Sequence, residues 1–442
     1  MKRLVIASTC CALVASFAVA ETEAGTDYWP QWRGPLASGA APTADPPVTW
    51  SETDNVRWKV PIPGKGHGSP VVWGDHVFVL TAVPVESPQS EGSPQEGERP
   101  RGVQPAGPLR STLLAIDRAT GEIAWERVAR EEVPHEGTHT DGSWASASAV
   151  TDGEVLVANF GSRGLYAYDL SGELLWSTDL GDMETRRGFG EGSTPLLAGG
   201  TLVVTWDHEG ESFVVAFDKT SGREIWRRQR DEVTTWATPI VVEVDGSRQV
   251  VVSGTGRVRG YDLESGDVVW EAGGQTVNVV PSPVSAHGLV YATSGFRGSA
   301  LKAIRLAGAA GDVTDSDAIA WSHDRDTPYV PSPLVYGDQI YFLKVNSGIV
   351  TSLDAESGEL RYGPERLPGI DGVYASPVAA ADRVYIVGRN GTTVVLRHGE
   401  GFEVLAENAL DDDFSASPAV VDSEIYLRGH GHLYCLAAPP SS

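Results

Sequence analysis

Short apolar runs of strand length alternate along this chain with polar turns rich in Gly, Asp, Ser and Pro, and the alternation repeats as a unit. The plainest unit runs from Thr238-Pro239 to Trp270, where apolar strands lead into GYDLESGDVVW with Asp262, Ser265, Gly266 and Trp270 in order. The same closing pattern occurs in LLAIDRATGEIAW ending at Trp125, AYDLSGELLW ending at Trp176 and VAFDKTSGREIW ending at Trp226; in SLDAESGELRY, Tyr362 replaces the tryptophan. Units open at Ser69-Pro70, Thr194-Pro195, Thr238-Pro239, Ser282-Pro283, Ser332-Pro333, Ser376-Pro377 and Ser417-Pro418, and Ser148-Ala149 fills the one gap without proline, making eight openings. From Pro195 to Pro418 the successive prolines stand 44, 44, 50, 44 and 41 residues apart. That is room for four strands and their turns, and too little for a strand, helix and strand unit besides. The pattern predicts an all-β chain: an eight-bladed β-propeller of four-stranded antiparallel blades.

Each closing signal has a mechanical reading. The Asp can accept hydrogen bonds from the backbone amides that follow it, and the Gly supplies a positive φ, so the chain reverses tightly between the third and fourth strands. The tryptophan on the outer strand is then placed to cover the polar turn of a neighbouring blade. After the last opening the strands of IYLRGHGHLYCLA end at Ala438, leaving that blade one strand short. The early segment NVRWKVPI, with Trp58 and no inner strands of its own, is expected to supply the missing strand and so close the ring by its two ends.

Composition divides the rest. Lys2 and Arg3, the apolar run Leu4 to Val19 and Ala18-Val19-Ala20 ahead of Glu21 read as a signal peptide over 1–20. The chain is therefore expected to be periplasmic or secreted, not membrane-spanning, with an extended segment at 21–54, the propeller at 55–438 and a tail at 439–442. The stretch 84–108, rich in proline and without an aromatic residue, is expected to be a flexible insertion within the first blade. A second insertion, AGAAGDVTDSDAIAW, precedes Trp321 in the fifth blade. The formal charge of −25 excludes nucleic acid as a natural partner. Of three cysteines only Cys435 lies beyond the signal peptide, so no intramolecular disulfide is expected, and Cys435 between Tyr434 and Leu436 reads as a small buried apolar residue.

Candidate chemistry is sparse. His135-Glu136-Gly137-Thr138-His139 matches a zinc-protease string, but Pro134, Gly137 and Asp141-Gly142 frame a short connection instead of the helix that would set both imidazoles on one face. No metal is expected there. Connections from outer to innermost strands converge on one mouth of the central channel, and the residues just before the eight openings form its rim: His67, Trp144, Glu191, Trp236, Asn278, Tyr329, Tyr374 and Phe414. Arg186 and Arg187 could add positive charge beside it. Aromatic faces mixed with a carboxylate, an amide and an imidazole suit a flat polar ligand, a peptide or a glycan; the same rings would equally serve as a hydrophobic plug.

The repeat, with Ala-x-Asp-x-x-Thr-Gly and its closing Trp, together with WPQWRGPLASG and VRWKVPIPGKGHGSPVVWGDHVFV, resembles the pyrroloquinoline-quinone-like (PQQ-like) exported propellers related to the outer-membrane assembly propeller BamB. The resemblance covers nearly all of the mature chain and implies an eight-bladed ring. Members include scaffolds without catalysis and quinone-dependent dehydrogenases that place adjacent cysteines over the quinone and hold calcium or a lanthanide beside it through Glu and Asn. Cys435 cannot supply such a pair. By channel position Glu191 and Asn278 would correspond to the ion ligands, Trp236 to the stacking ring and Arg187 to a charged partner, with no equivalent of the catalytic Asp. The expectation is a monomeric, non-catalytic binding or assembly scaffold without a firm cofactor, holding protein, peptide or glycan at its rim. Alternatives are a PQQ- and calcium-dependent oxidoreductase at the channel mouth, and a polysaccharide hydrolase or lyase.

Overall fold

A computed structural model describes residues 26–85 and 102–438. The expected signal peptide at 1–20, the bulk of the 84–108 insertion and the tail at 439–442 lie outside the described residues. Among those described, the strands form eight sheets, antiparallel save for one two-residue pairing. Blade 1 comprises Val71–Trp73, His76–Pro84, Leu109–Asp117 and Ile123–Glu132, and six further sheets repeat that order. Blade 8 takes Ala419–Val421, Glu424–Arg428 and His432–Ala437 from the end of the chain and Val56–Pro61 from its beginning. Trp58 faces Cys435 and Val60 faces Leu433 across that last pairing. The ring is closed as expected.

Around the axis the eight opening residues bond to one another. Ser69 N donates to Ser148 Oγ (2.9 Å), Ser148 N to Thr194 Oγ1 (3.0 Å), Thr194 N to Thr238 Oγ1 (3.1 Å) and Thr238 N to Ser282 Oγ (2.7 Å). Ser282 N, Ser332 N and Ser376 N continue the chain to Ser332, Ser376 and Ser417, each at 2.9 Å, and Ser417 N returns to Ser69 Oγ at 2.9 Å. All eight residues are buried. The backbone amides nearest the axis have no further strand to pair with, so a short hydroxyl from the next blade fills that role. Proline follows because the next position needs no ladder donor and the ring fixes an extended entry into the strand.

The closing tryptophans lap each blade onto the next. Trp58, Trp176, Trp226 and Trp321 donate their indole N–H to the carbonyls of Arg118, Lys219, Leu263 and Ala355, in the turns of the following blades (2.8–3.0 Å). At Gly222 (φ +68°) and Gly266 (φ +75°) a Cβ would stand 2.6 and 2.5 Å from Trp176 and Trp226, so only glycine fits beneath the ring. Two tryptophans depart from this pattern. The blade 2 turn, Asp169 to Gly172, is one residue shorter; Arg127 occupies its edge, with Nε donating to Gly172 O (2.6 Å), and Trp125 Nε1 is left without a partner. Trp270 faces a blade whose turn is replaced by the second insertion. It lies instead over Gly260 of its own blade and donates to Gln249 Oε1 (2.8 Å). Gly311–Asp312 of that insertion pairs in parallel with Trp270 and Glu271, giving blade 4 a fifth strand. An insertion read from the sequence as belonging to blade 5 alone thus joins blades 4 and 5.

Residues 26–55 form turns with isolated bridges to the sheets. They cross the far end of the channel. Trp29 exchanges backbone bonds with Val72 (3.0 and 2.9 Å), Thr151 N donates to Pro30 O (2.9 Å), and Ala41 N donates to Ala379 O (2.8 Å). The buried Arg33 guanidinium donates to the carbonyls of Pro333, Pro377 and Ser38 (2.8–2.9 Å). Blades 1, 2, 6 and 7 thereby all hold the plug.

Two outcomes are expected. Ser376→Ala strips Ser332 N of its acceptor in a buried position and should lower the unfolding free energy by roughly 1–3 kcal/mol in urea melts, with Ser376→Thr close to the parent protein. The turn aspartates Asp117, Asp169, Asp218 and Asp354 titrate below the ordinary carboxylate range; Asp218, held chiefly by the Ser221 hydroxyl and then by Thr220, is drawn down to about 2. A lowered folded-state pKa gives stability that is complete above the ordinary aspartate value of ~3.9 and is lost as pH falls through about 2. Melting temperature should therefore fall across that window, and less steeply in Asp218→Asn.

Candidate functional site at the channel mouth

With the far end plugged, the channel becomes a blind cavity of about 310 Å³. Its floor is Trp32, whose Nε1 donates to Ser417 Oγ (3.3 Å), and the hydroxyls of Ser69, Ser148, Thr194, Thr238 and Ser417 line its narrow part. Five of the residues nominated from the sequence, His67, Glu191, Trp236, Tyr329 and Tyr374, line it above. Trp236 is fixed by Nε1 donating to Gly190 O (2.7 Å) and by its own amide donating to Val279 O (2.9 Å).

Three nominated rim residues, and Arg187, lie elsewhere. Phe414 is fully buried against Tyr434 in the core between blades, because its backbone amide bonds Arg389 O and turns the ring outward from the axis. Asn278, at φ +56°, is buried outside the lining. Trp144 packs between blades 1 and 2 with Nε1 donating to Glu136 O (2.9 Å). Arg187 is exposed on the turn Arg186–Gly188 at φ 58°. Counting back from the openings places a residue along the connection but not the side to which it points.

The sequence reading did not place Trp32, His139, Asp141 and Phe189 in the cavity, and they line it too. Asp141 ties the mouth together: Tyr374 Oη donates to its Oδ2 (3.0 Å) and Arg389 Nη2 to its Oδ1 (2.8 Å), with the guanidinium stacked 4.2 Å over the Tyr374 ring. The connection 133–149 thus reaches from blades 1 and 2 to blade 7. Burial pushes the Asp141 carboxyl up, and the bonds from Arg389 and Tyr374 outweigh it, leaving the group below its usual range. The available signal was length, since connections 133–149 and 179–195 exceed the others, such as 230–239.

Glu191 accepts from Ser162 N and Ser162 Oγ, both at 2.7 Å, with Arg163 Nη2 at 3.7 Å, so its charge is already matched. His67 stacks on His430 at 4.9 Å; burial, followed by the neighbouring His430, pulls its pKa down to about 3, and its Nε2 is buried without a partner. No lysine or arginine is among the residues lining the cavity. His135 and His139 sit on no helix: His135 Nε2 meets Met183 O (2.8 Å), whereas His139 Nδ1 accepts from Asp141 N (3.1 Å). Among the described residues no group of three or more His, Cys, Asp or Glu could hold a metal ion. Cys435 is buried in blade 8, which pushes its thiol up to about 12.

The family model for the outer membrane protein assembly factor BamB matches residues 41–188, 109–362 and 210–438, overlapping as a repeat in register with itself would. The chain belongs to this BamB family of PQQ-like propellers. A curated relative, outer membrane protein assembly factor BamB of Shewanella oneidensis, is 24% identical over 306 residues, 64% of this chain and 66% of the relative. The chain therefore spans just under two thirds of that relative's length. In fold it is similar to BamB from Moraxella catarrhalis (TM-score 0.57, 15% identity, covering 87% of this chain and 98% of that one). It is also similar to the quinohemoprotein alcohol dehydrogenase ADHIIG from Pseudomonas putida HK5 (TM-score 0.55, 9% identity, 94% and 82%). Both likenesses are of fold alone. Among the described residues no helix is long and apolar enough to cross a membrane.

Removing the carboxylate that fastens the mouth should free one connection without unfolding the ring. Asp141→Ala is expected to raise amide hydrogen exchange across 134–143 while the melting temperature changes little.

Proposed function

We propose that this chain is a periplasmic, BamB-type scaffold that holds protein partners in outer-membrane assembly and performs no catalysis of its own. The observation that carries the reading is the family match, which runs from residue 41 to residue 438 and so takes in the ring and part of the plug. The architecture supports it. A ring bonded to itself at the axis and lapped at the rim is a rigid body, and rigid bodies present connections and outer strands with little ordering cost on binding. Apolar side chains that recur exposed on the outer strands, among them Ile123, Leu174, Val268 and Leu360, offer contact surface there.

The quinone-dependent oxidoreductase is the second reading, favoured by the fold likeness and by Trp236 in the cavity. The side chains present fit that group badly. A tricarboxylated quinone calls for cations, and the cavity lining offers none; Arg389 is committed to Asp141, and Arg187 lies outside. Glu191 is committed to Ser162, and Asn278 does not join it in the lining. The polysaccharide hydrolase or lyase has weaker support, because the two carboxylates at the mouth are both held by donors of the protein.

Affinity capture with the full-length exported protein on detergent-solubilised outer membranes tests the scaffold. Recovery of β-barrel assembly components, reduced when Ile123, Leu174 and Val268 are replaced by Asp, is expected. Recovery of none of them, or dye reduction upon addition of quinone and calcium, would overturn it.

A further inference from the structure

The cavity carries chemistry that scaffolding does not use. Each of its five ring hydroxyls accepts an amide proton from the preceding blade, and Ser417 Oγ also accepts the Trp32 indole N–H. Among the described residues none of these hydroxyls has an acceptor for its own proton. The Nε2 of His67 is likewise buried and unpartnered. Buried polar groups of this kind are satisfied by water or by a ligand. Above them stand Trp236, Tyr329, Tyr374 and Phe189, with Trp32 beneath.

The electrostatics narrow what could fill such a space. An anion would find no lysine or arginine among the lining side chains, and Lys65 and Arg389 beside the mouth already face Asp141, inside a protein of formal charge −25. A cation would find both carboxylates already matched, Glu191 by Ser162 and Asp141 by Arg389 and Tyr374. A wholly apolar molecule would bury the ring hydroxyls without acceptors, at a cost of about 1–3 kcal/mol for each group left unmet. What remains is a neutral molecule with a flat C–H face for the aromatic rings and with oxygens that both accept and donate. The volume of about 310 Å³ lies at the small end of ligand cavities and limits it to one or two rings.

We infer that the plugged channel of this propeller is a binding site for a small uncharged carbohydrate, a monosaccharide or the end of a short glycan, stacked on Trp236 and hydrogen-bonded to the inner hydroxyl ring. His67, kept neutral by burial, contributes its free Nε2 as a further partner. The strap from Asp141 to Tyr374 and Arg389 borders the mouth, so entry passes beside it. The inference stands apart from the scaffold reading: sugar binding is read on the isolated protein, partner capture on membranes, and either can fail alone.

The test is titration of the full-length exported protein with glucose, N-acetylglucosamine and maltose, alongside glucuronate and glucosamine as charged probes. Tryptophan fluorescence and saturation-transfer NMR provide the readouts. Saturable binding of at least one neutral sugar, tighter than either charged probe, is expected. Trp236→Ala should weaken it at least about 10-fold, the scale of one lost stacking contact. Should Trp236→Ala melt below the parent, Tyr329→Ala, which removes another ring of the lining, serves in its place. The inference fails if no neutral sugar binds saturably, if a charged probe binds more tightly, or if both folded variants bind as the parent does.

Discussion

The structure depends on eight amide-to-hydroxyl bonds that run once around its axis. A propeller concentrates its backbone at the centre, where the innermost strand of each sheet has a neighbour on one side only. Backbone amides there are shut away from solvent and must be met from within. In this chain a serine or threonine of the next blade meets each of them, so every blade is satisfied only by the presence of its successor. The requirement is circular in the literal sense. It ties the number of blades to the number of hydroxyls, while the pairing of Val56–Pro61 with His432–Ala437 closes the ring separately, at the outer edge of blade 8.

A second circle, at the outer radius, is made of tryptophan and glycine and is less strict. Where the following turn has its full length, the indole lies over the glycine and bonds a turn carbonyl. Where the turn is shortened or replaced, Arg127 or the strand at Gly311–Asp312 takes over the contact. The outer contacts tolerate substitution because side chains of different shape can bury similar area. The inner ones have one geometry, and so the opening Ser/Thr survives in all eight units while the closing Trp does not.

That asymmetry explains what could be read from the sequence. The fold was legible because its strictest requirement recurs at a nearly constant step, and the orphan strand around Trp58 was legible because the count of strands came out one short. The cavity was half legible. His67, Glu191, Trp236, Tyr329 and Tyr374 were found from their distance to an opening residue, whereas Phe414 and Trp144 stand at comparable distances and turn into the cores between blades. Trp32 and Asp141 escaped because nothing in their local sequence shows where a connection or a leading segment will lie once the ring has formed. Their positions are set by contacts hundreds of residues away, as between Asp141 and Arg389.

The plug has a consequence for how this molecule comes into being. Residues 29–41 rest on the inner strands of blades 1, 2 and 7 and on prolines of blades 6 and 7, and Val56–Pro61 rests on the final strand. Residues 29–61 are therefore synthesised ahead of most of their partners and have no finished surface to settle on until the strands of blades 6, 7 and 8 have followed them. An order of synthesis that favours early domains elsewhere gives this one no head start. With only its partners in blades 1 and 2 made early, the plug stays half-seated until the last three blades arrive.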